Sequence, residues 1–206
     1  WLDSADAPEV LASHGQSPIV RGVRQKPRAA ATPAAVEPGA PGTMGDPAFR
    51  RGYALLAPNG LSYDLQTPWW HLREARALAD AFPETRLILN HTGQPAARSD
   101  EGLAGWREAL RTLAGAPNAA LKISGLGQAG QPWSEAANRT VVLDAIDIFG
   151  TDRVMFASNF PVDSLVGSFE TIYRGFLDIT AGFSDAERNA MFAGNARRIY
   201  RFPEGV

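Results

Sequence analysis

Three polar residues stand at the ends of short apolar runs, where an α/β protein usually places the residues that do its chemistry. They are the imidazole of His91, the amine of Lys122 and the carboxamide of Asn159. The runs are residues 86–93 (RLILNHTG), 120–126 (ALKISGL) and 154–163 (VMFASNFPVD). In parallel α/β folds the binding site lies at the carboxyl ends of the strands. These three residues are therefore the first candidates for a functional site.

The alternation of side chains along a strand adds further candidates. In residues 61–66 (LSYDLQ) the apolar side chains would pack on helices, which turns Asp64 and Gln66 to the opposite face. The same alternation puts Ser124 on the face of Lys122, His91 on the face of Leu87 and Leu89, and Asn159 on the face of Met155 and Ala157. The predicted site residues are Arg24, Gln66, His91, Lys122, Ser124 and Asn159, and we expect His91 to point inward.

Each candidate also has a structural interpretation. His91 could be a hydrogen-bonded structural histidine, and Lys122 could extend from an edge strand to water. Arg24 could be a surface charge, and Asn159 could bond the backbone of the Phe-Pro turn that follows it. For Asp64 we expect a structural role, as a helix cap or as the partner of an arginine.

Familiar catalytic centres are poorly represented in the sequence. A catalytic zinc site uses about three protein ligands, but His14 and His71 fall on predicted helices, away from the strand ends. Neither Ser124 nor Ser158 lies in a G-x-S-x-G turn, and no glycine-rich phosphate loop follows a strand. His91 is therefore the single candidate metal ligand.

The elements that must position these residues alternate between strands and helices. The pattern predicts strands at residues 19–25, 61–66, 86–91, 120–124 and 154–158. It predicts helices at about 7–14, 47–56, 68–82, 102–114 and 135–149, with two more near the C-terminus, the last opening with a capping box at Ser184 and Glu187. This spacing suits right-handed β-α-β units and a parallel sheet. By pattern alone, either part of a (β/α)8 barrel or an open doubly wound sheet would fit.

Bulk composition narrows the functional classes. The chain has 206 residues, a net charge of −2 and no cysteine, which predicts one domain without disulfides. This charge would not attract nucleic acid or an anionic membrane, and the apolar stretches are too short to span a bilayer. We expect a cytoplasmic protein with a small-molecule substrate. Residues 26–46, rich in Pro, Gly and Ala, are interpreted as a lid or binding loop, with a disordered linker as the alternative.

Five stretches resemble the amidohydrolase-related family, in its branch of predicted metal-dependent hydrolases and sugar-lactone or dicarboxylate-lactone hydrolases. They are residues 20–25 (VRGVRQ), 86–93, 121–126 (LKISGL), 153–163 (RVMFASNFPVD) and 187–202 (ERNAMFAGNARRIYRF). The resemblance covers nearly the whole chain, with the motifs in the family's order. It implies that the fold is of the α/β class, a (β/α)8 TIM barrel.

The resemblance also identifies two departures from the family pattern. Family members begin with an H-x-H pair on the first strand, which binds metal or substrate, and this sequence has no H-x-H. Residues 20–25 match the fourth strand, so we expect a single partial barrel domain, residues 1–206, that lacks about three strands. The start at Trp1, with neither an initiator Met nor a signal peptide, agrees with that expectation. Asn159 stands where much of the superfamily has a catalytic Asp, and an amide cannot act as a general base.

The resemblance implies hydrolysis of a lactone or related cyclic ester at the barrel mouth. Water would be activated by a divalent metal such as zinc or, without metal, by polar residues. His91 would bind the metal or the substrate carbonyl, and Asn159 would orient water. Lys122 and Arg24 would hold a carboxylate or the developing oxyanion. Gln66 and Ser124 are also predicted to bind substrate. The alternatives are a non-oxidative decarboxylase of the same superfamily, and an inactive barrel fragment that associates into a homo-oligomer.

Overall fold

A computed structural model describes residues 1–203 of the chain, in which strands and helices alternate. The strands are β1 Gly22–Gln25, β2 Ser62–Leu65, β3 Leu87–Leu89, β4 Ala119–Ile123 and β5 Val154–Phe156. The helices are α1 Ala7–Gly15, α2 Pro47–Tyr53, α3 Leu72–Ala81, α4 Asp100–Ala114, α5 Glu135–Phe149, α6 Phe169–Ile179, α7 Asp185–Asn189 and α8 Asn195–Ile199. A π-helical turn, Ala190–Gly194, joins α7 to α8. None of the helices within residues 1–203 is long and apolar enough to cross a membrane.

The five strands form one parallel sheet in the order β1-β2-β3-β4-β5. Each strand pairs with the next along the chain, so that Asp64 lies opposite Arg24 on one side and Ile88 on the other. A doubly wound sheet reverses its strand order at a switch point, whereas a barrel wall adds strands in sequence. The observed order is therefore that of a (β/α) barrel wall. Within residues 1–203, β1 and β5 are its two edges.

Most element bounds lie close to the predicted ones, and the differences occur where the chain turns. The strand predicted at 86–91 ends at Leu89, because a 3-10 turn, His91–Gly93, begins two residues later. The helix predicted to start at Pro68 starts at Leu72 instead. Pro68 is extended and is followed by a 3-10 turn, Trp69–His71. The predicted capping box at Ser184 and Glu187 is confirmed.

The two faces of the sheet have different neighbours. Leu87, Leu89 and Leu121 belong to a large core that includes buried side chains of α3, α4 and α5. The opposite face, called the inner face below, has a small apolar cluster in which Ile88 and Met155 contact Ile199 of α8. On the inner face, the apolar cluster stops short of the carboxyl ends of the strands, and polar residues occupy those ends.

The loop formed by residues 26–46 is fixed against the start of α3. The backbone N–H of Ala30 donates to Nε2 of His71 at 2.8 Å, and the indole N–H of Trp70 donates to the Ala30 carbonyl at 3.0 Å. Asp46 accepts the Gly42 N–H at 2.7 Å and caps α2. These bonds argue against a disordered linker, and they give His71 a structural role.

Candidate functional site

Four of the six predicted site residues form one chain of hydrogen bonds across β1 to β4. Arg24 donates from the same Nη2 atom to Oε1 of Gln66 and, at 3.1 Å, to Nε2 of His91. Nδ1 of His91 lies 3.1 Å from Oγ of Ser124. The structure therefore brings together a guanidinium, a carboxamide, an imidazole and a hydroxyl at the carboxyl ends of neighbouring strands.

His91 reaches this position by a route that strand alternation does not predict. Leu87 and Leu89 face the helices, so simple alternation from them would point His91 away from the inner face. His91 does face the other site residues, as expected, but strand alternation is the wrong reason for it. The backbone of His91 is left-handed, with φ of 54°, and that of Thr92 has φ of 56°. These two residues end the pleat and turn the imidazole towards Arg24 and Ser124.

The strained turn at His91 is held by bonds from both sides. Oγ1 of Thr92 donates to the Ser124 carbonyl at 3.0 Å and accepts the Ser124 N–H at 3.2 Å. The buried indole of Trp106 donates to the Thr92 carbonyl at 2.8 Å. Gly125 has φ of 63°, and a Cβ placed there would lie 2.8 Å from Cβ of His91. The space beside the imidazole therefore requires glycine.

The hydrogen-bond partners of His91 fix its protonation state. A guanidinium can only donate, so Nε2 of His91 must accept the bond from Arg24. The ring proton then lies on Nδ1, which donates to Ser124. Burial first, and then the positive charges of Arg24, Lys122 and Lys26, lower the pKa of His91 to about 4. His91 is therefore a neutral imidazole at pH 7.

A second polar cluster lies beside the first on the inner face. Oδ1 of Asp64 accepts from Nζ of Lys122 at 2.8 Å and from the hydroxyl of Tyr200 at 2.7 Å. Nζ of Lys122 also lies 5.0 Å from the centre of the Tyr200 ring. Burial, followed by the Asp64 carboxylate, raises the pKa of Tyr200 well above its ordinary range. Asp64 has the ion-pair role expected of it, but its partner is Lys122 rather than an arginine.

Asn159 lies in a turn of its own after β5. Its amide donates to Oδ1 of Asp163 at 2.8 Å, its carbonyl accepts the Asp163 N–H at 3.1 Å, and its φ is 56°. Burial raises the pKa of Asp163, and the bond from Asn159 partly opposes that shift. The side chain of Asn159 therefore binds the carboxylate of Asp163 and not, as the structural interpretation expected, the backbone of the Phe-Pro turn. No hydrogen bond within residues 1–203 joins Asn159 to the His91 chain.

The residues present do not by themselves fit a catalytic metal. Nowhere in the described part of the chain do three or more His, Asp or Glu side chains form a group that could hold an ion. The Nε2 lone pair of His91 accepts from Arg24, and the cations Arg24 and Lys122 lie close to it. His91 could supply at most one ligand, and only after Arg24 moved away.

Three residues at or beside the site were missed by sequence reasoning. Asn90 would have been found by counting alternation from the inner-face residue Ile88 rather than from the leucines. Gly125 follows Ser124 directly, but only the close approach of His91 shows why a glycine is needed. Tyr200 is 136 residues from its partner Asp64 in the sequence, so no local pattern signals the contact.

The comparisons with known proteins agree with this fold. The model of the family described as amidohydrolase matches residues 2–202, and the chain therefore belongs to the amidohydrolase family. An amidohydrolase from Burkholderia multivorans, crystallised with bound zinc, superposes with a TM-score of 0.85 at 30% sequence identity. The match covers 98% of this chain and 72% of that one. The predicted family and the barrel-type fold are confirmed.

Two sequence relatives span more than this chain does. The protein y4mH of Sinorhizobium fredii is 44% identical over 196 residues, which are 95% of this chain and 66% of that protein. An L-fucono-1,5-lactonase of Burkholderia multivorans is 36% identical over 171 residues, which are 77% of this chain and 57% of that enzyme. The chain thus spans about two thirds or less of the length of these curated relatives.

Proposed function

We propose that this protein is a hydrolase that opens a lactone or related cyclic ester, with its site at the carboxyl ends of β1 to β4. The observation that carries the proposal is the hydrogen-bonded chain from Arg24 through His91 to Ser124. The sequence similarity of this protein to L-fucono-1,5-lactonases supports a sugar lactone as the substrate.

The charges around the site suit the attack of water on an ester carbonyl. The carbonyl oxygen becomes negative as the tetrahedral intermediate forms, and nearby cations stabilise that charge. Arg24 is exposed at the mouth, and the side chain of Lys122 is 25% exposed. Both cations are therefore placed to meet a carbonyl, a carboxylate or the oxyanion of a bound substrate.

His91 is the group best placed to accept a proton from the attacking water. Its Nε2 lone pair points to Arg24, and Ser124 holds the Nδ1–H tautomer that leaves Nε2 free of a proton. When Arg24 turns towards the oxyanion, its charge no longer opposes protonation of the imidazole as strongly. The basicity of His91 would therefore rise during the step that needs a base.

The test is hydrolysis of L-fucono-1,5-lactone by the gene product that contains these residues. The release of acid measures the rate. We expect His91→Ala to lower kcat/KM at least about 100-fold while the protein stays folded. The matched control is His14→Ala, which removes an exposed imidazole on α1 and should leave kcat/KM unchanged. Near-normal turnover by His91→Ala would overturn the assignment, and a parent protein inactive on lactones would overturn the function.

A further inference from the structure

We propose that Asn90 is a specificity-determining residue of this site, and that its carboxamide binds a hydroxyl group on the substrate ring. This inference rests on the proposed function, because it concerns which lactones the site selects. Asn90 directly precedes His91, and none of the roles described so far involves its side chain.

The carboxamide of Asn90 is buried without a hydrogen-bond partner. The residue is 1% exposed, and neither Nδ2 nor Oδ1 is bonded by any group in residues 1–203. Its backbone is satisfied, since the N–H donates to the Leu65 carbonyl at 2.8 Å and the carbonyl accepts the Gly93 N–H at 3.3 Å. Buried amides are almost always paired, because an unpaired one has lost its water without compensation. The free-energy cost of burying unpaired polar atoms at Asn90 is therefore confined to its side chain.

The usual structural role for an asparagine at this position is absent. Asn90 is the residue that precedes the turn His91–Gly93, and asparagine commonly caps such turns through its side chain. Here the side chain makes no capping bond. Support for the turn comes instead from Thr92, Trp106 and Ser124.

The sheet register places Asn90 in the middle of the site. Leu65, Leu89 and Leu121 are partners across β2, β3 and β4. The next residues along, Gln66, Asn90 and Lys122, therefore form a row across three neighbouring strands. Alternation from Ile88 puts Asn90 on the inner face. Its two neighbours in this row are already engaged, Gln66 with Arg24 and Lys122 with Asp64.

The chemistry of a carboxamide indicates which substrate group it would bind. An amide offers an acceptor on Oδ1 and donors on Nδ2, and a hydroxyl group can use both kinds. A carboxylate would use only the donors and leave Oδ1 unpaired. The arrangement therefore fits a lactone that carries ring hydroxyls, as sugar lactones do, better than an unsubstituted lactone.

The experiment compares Asn90→Leu with the parent on two substrates, L-fucono-1,5-lactone and δ-valerolactone, which has no ring hydroxyl. We expect kcat/KM for the hydroxylated lactone to fall about 100-fold, as when a buried polar contact to substrate is lost, and that for δ-valerolactone to change less than about 3-fold. The melting temperature without substrate should rise by about 2–4 °C, because leucine removes a buried unpaired amide of similar shape.

A second buried asparagine provides the matched control. Nδ2 of Asn118 donates to the carbonyls of Ala79, Phe82 and Thr85. Asn118→Leu should therefore lower the melting temperature and leave the ratio of the two kcat/KM values unchanged.

Several outcomes would overturn the proposal. A lower melting temperature for Asn90→Leu would mean that the amide is satisfied without substrate, for example by an ordered water. A higher melting temperature with an unchanged substrate ratio would mean that the amide does not contact substrate. If the parent turns over neither lactone, the proposed function fails. The Asn90 proposal is then judged by calorimetry, and it falls if the two lactones bind parent and variant in the same ratio.

Discussion

The two faces of the sheet are built from opposite kinds of side chain. On the helix side, Leu87, Leu89 and Leu121 are fully buried in a continuous apolar core. On the inner face, Asp64 and Lys122 form an ion pair. They lie on the strands either side of the one that leads to Asn90, whose amide is unpaired within residues 1–203. The comparison indicates that one face supplies most of the stability, while the other accepts costs in stability to hold polar groups in place. Substitutions on the two faces should therefore have separable effects.

The largest effect on stability is expected from the helix side. Leu89→Ala removes a fully buried side chain from the main core and should lower the free energy of unfolding by about 2–5 kcal/mol. Urea denaturation measures this loss. The control is Leu177→Ala, at a position 40% exposed, which should cost far less. Equal losses at the two positions would contradict the conclusion that the buried helix side of the sheet supplies most of the stability.

A smaller loss of stability with a large loss of activity is expected at Gly125, which lies against His91 after β4. In Gly125→Ala the new Cβ would clash with His91 and force alanine into a left-handed backbone. We expect about 1–3 kcal/mol of destabilisation and a displaced imidazole. Turnover should therefore fall about as far as in His91→Ala. Gly130→Ala is the control, because Gly130 has a similar φ of 75° but open space around its Cβ position. If both variants stay active, the position of His91 does not matter.

Removing the charge of Lys122 on the inner face should have smaller effects on both stability and activity. Lys122→Met keeps most of the apolar stem but removes the charge, while Asp64 retains its bond from Tyr200. We expect about 1–2 kcal/mol of destabilisation and a KM for anionic substrates that is raised about 10-fold. Steady-state kinetics and urea denaturation on the same preparation separate the two effects. A collapse in stability with an unchanged KM would make Lys122 a purely structural residue.

The sequence predicted the positions of the elements better than the directions of the site residues. The strands and the helix at Glu135–Phe149 follow from apolar periodicity, which depends on burial against neighbouring elements. His91 was found because it follows a strand, but its direction depends on a left-handed turn that periodicity does not describe. Asp64 was expected to cap a helix or pair with an arginine, whereas it pairs with Lys122. Its contact with Tyr200 depends on the return of the C-terminal helix to the inner face.

The pH dependence of stability follows from the same environment of His91. Its pKa is lowered from 6.5 to about 4 in the folded protein, so the unfolded chain takes up the proton first as the pH falls. The contribution of His91 to stability is therefore present above about pH 6.5 and is lost between about pH 6.5 and 4. In His91→Gln, thermal unfolding measured across this range should show a weaker dependence on pH. An unchanged pH dependence would mean that the pKa of His91 is not lowered in the folded protein.

The most direct test of the account is the ¹⁵N NMR spectrum of the His91 imidazole in the folded protein, assigned by its absence in His91→Gln. We expect a proton on Nδ1, an unprotonated Nε2 facing Arg24, and titration at a pKa of about 4. In Arg24→Met the pKa should rise, because the guanidinium charge opposes protonation of the ring. A proton on Nε2 at neutral pH, or titration near 6.5 in the parent protein, would contradict the arrangement of Arg24, His91 and Ser124 on which the proposed function depends.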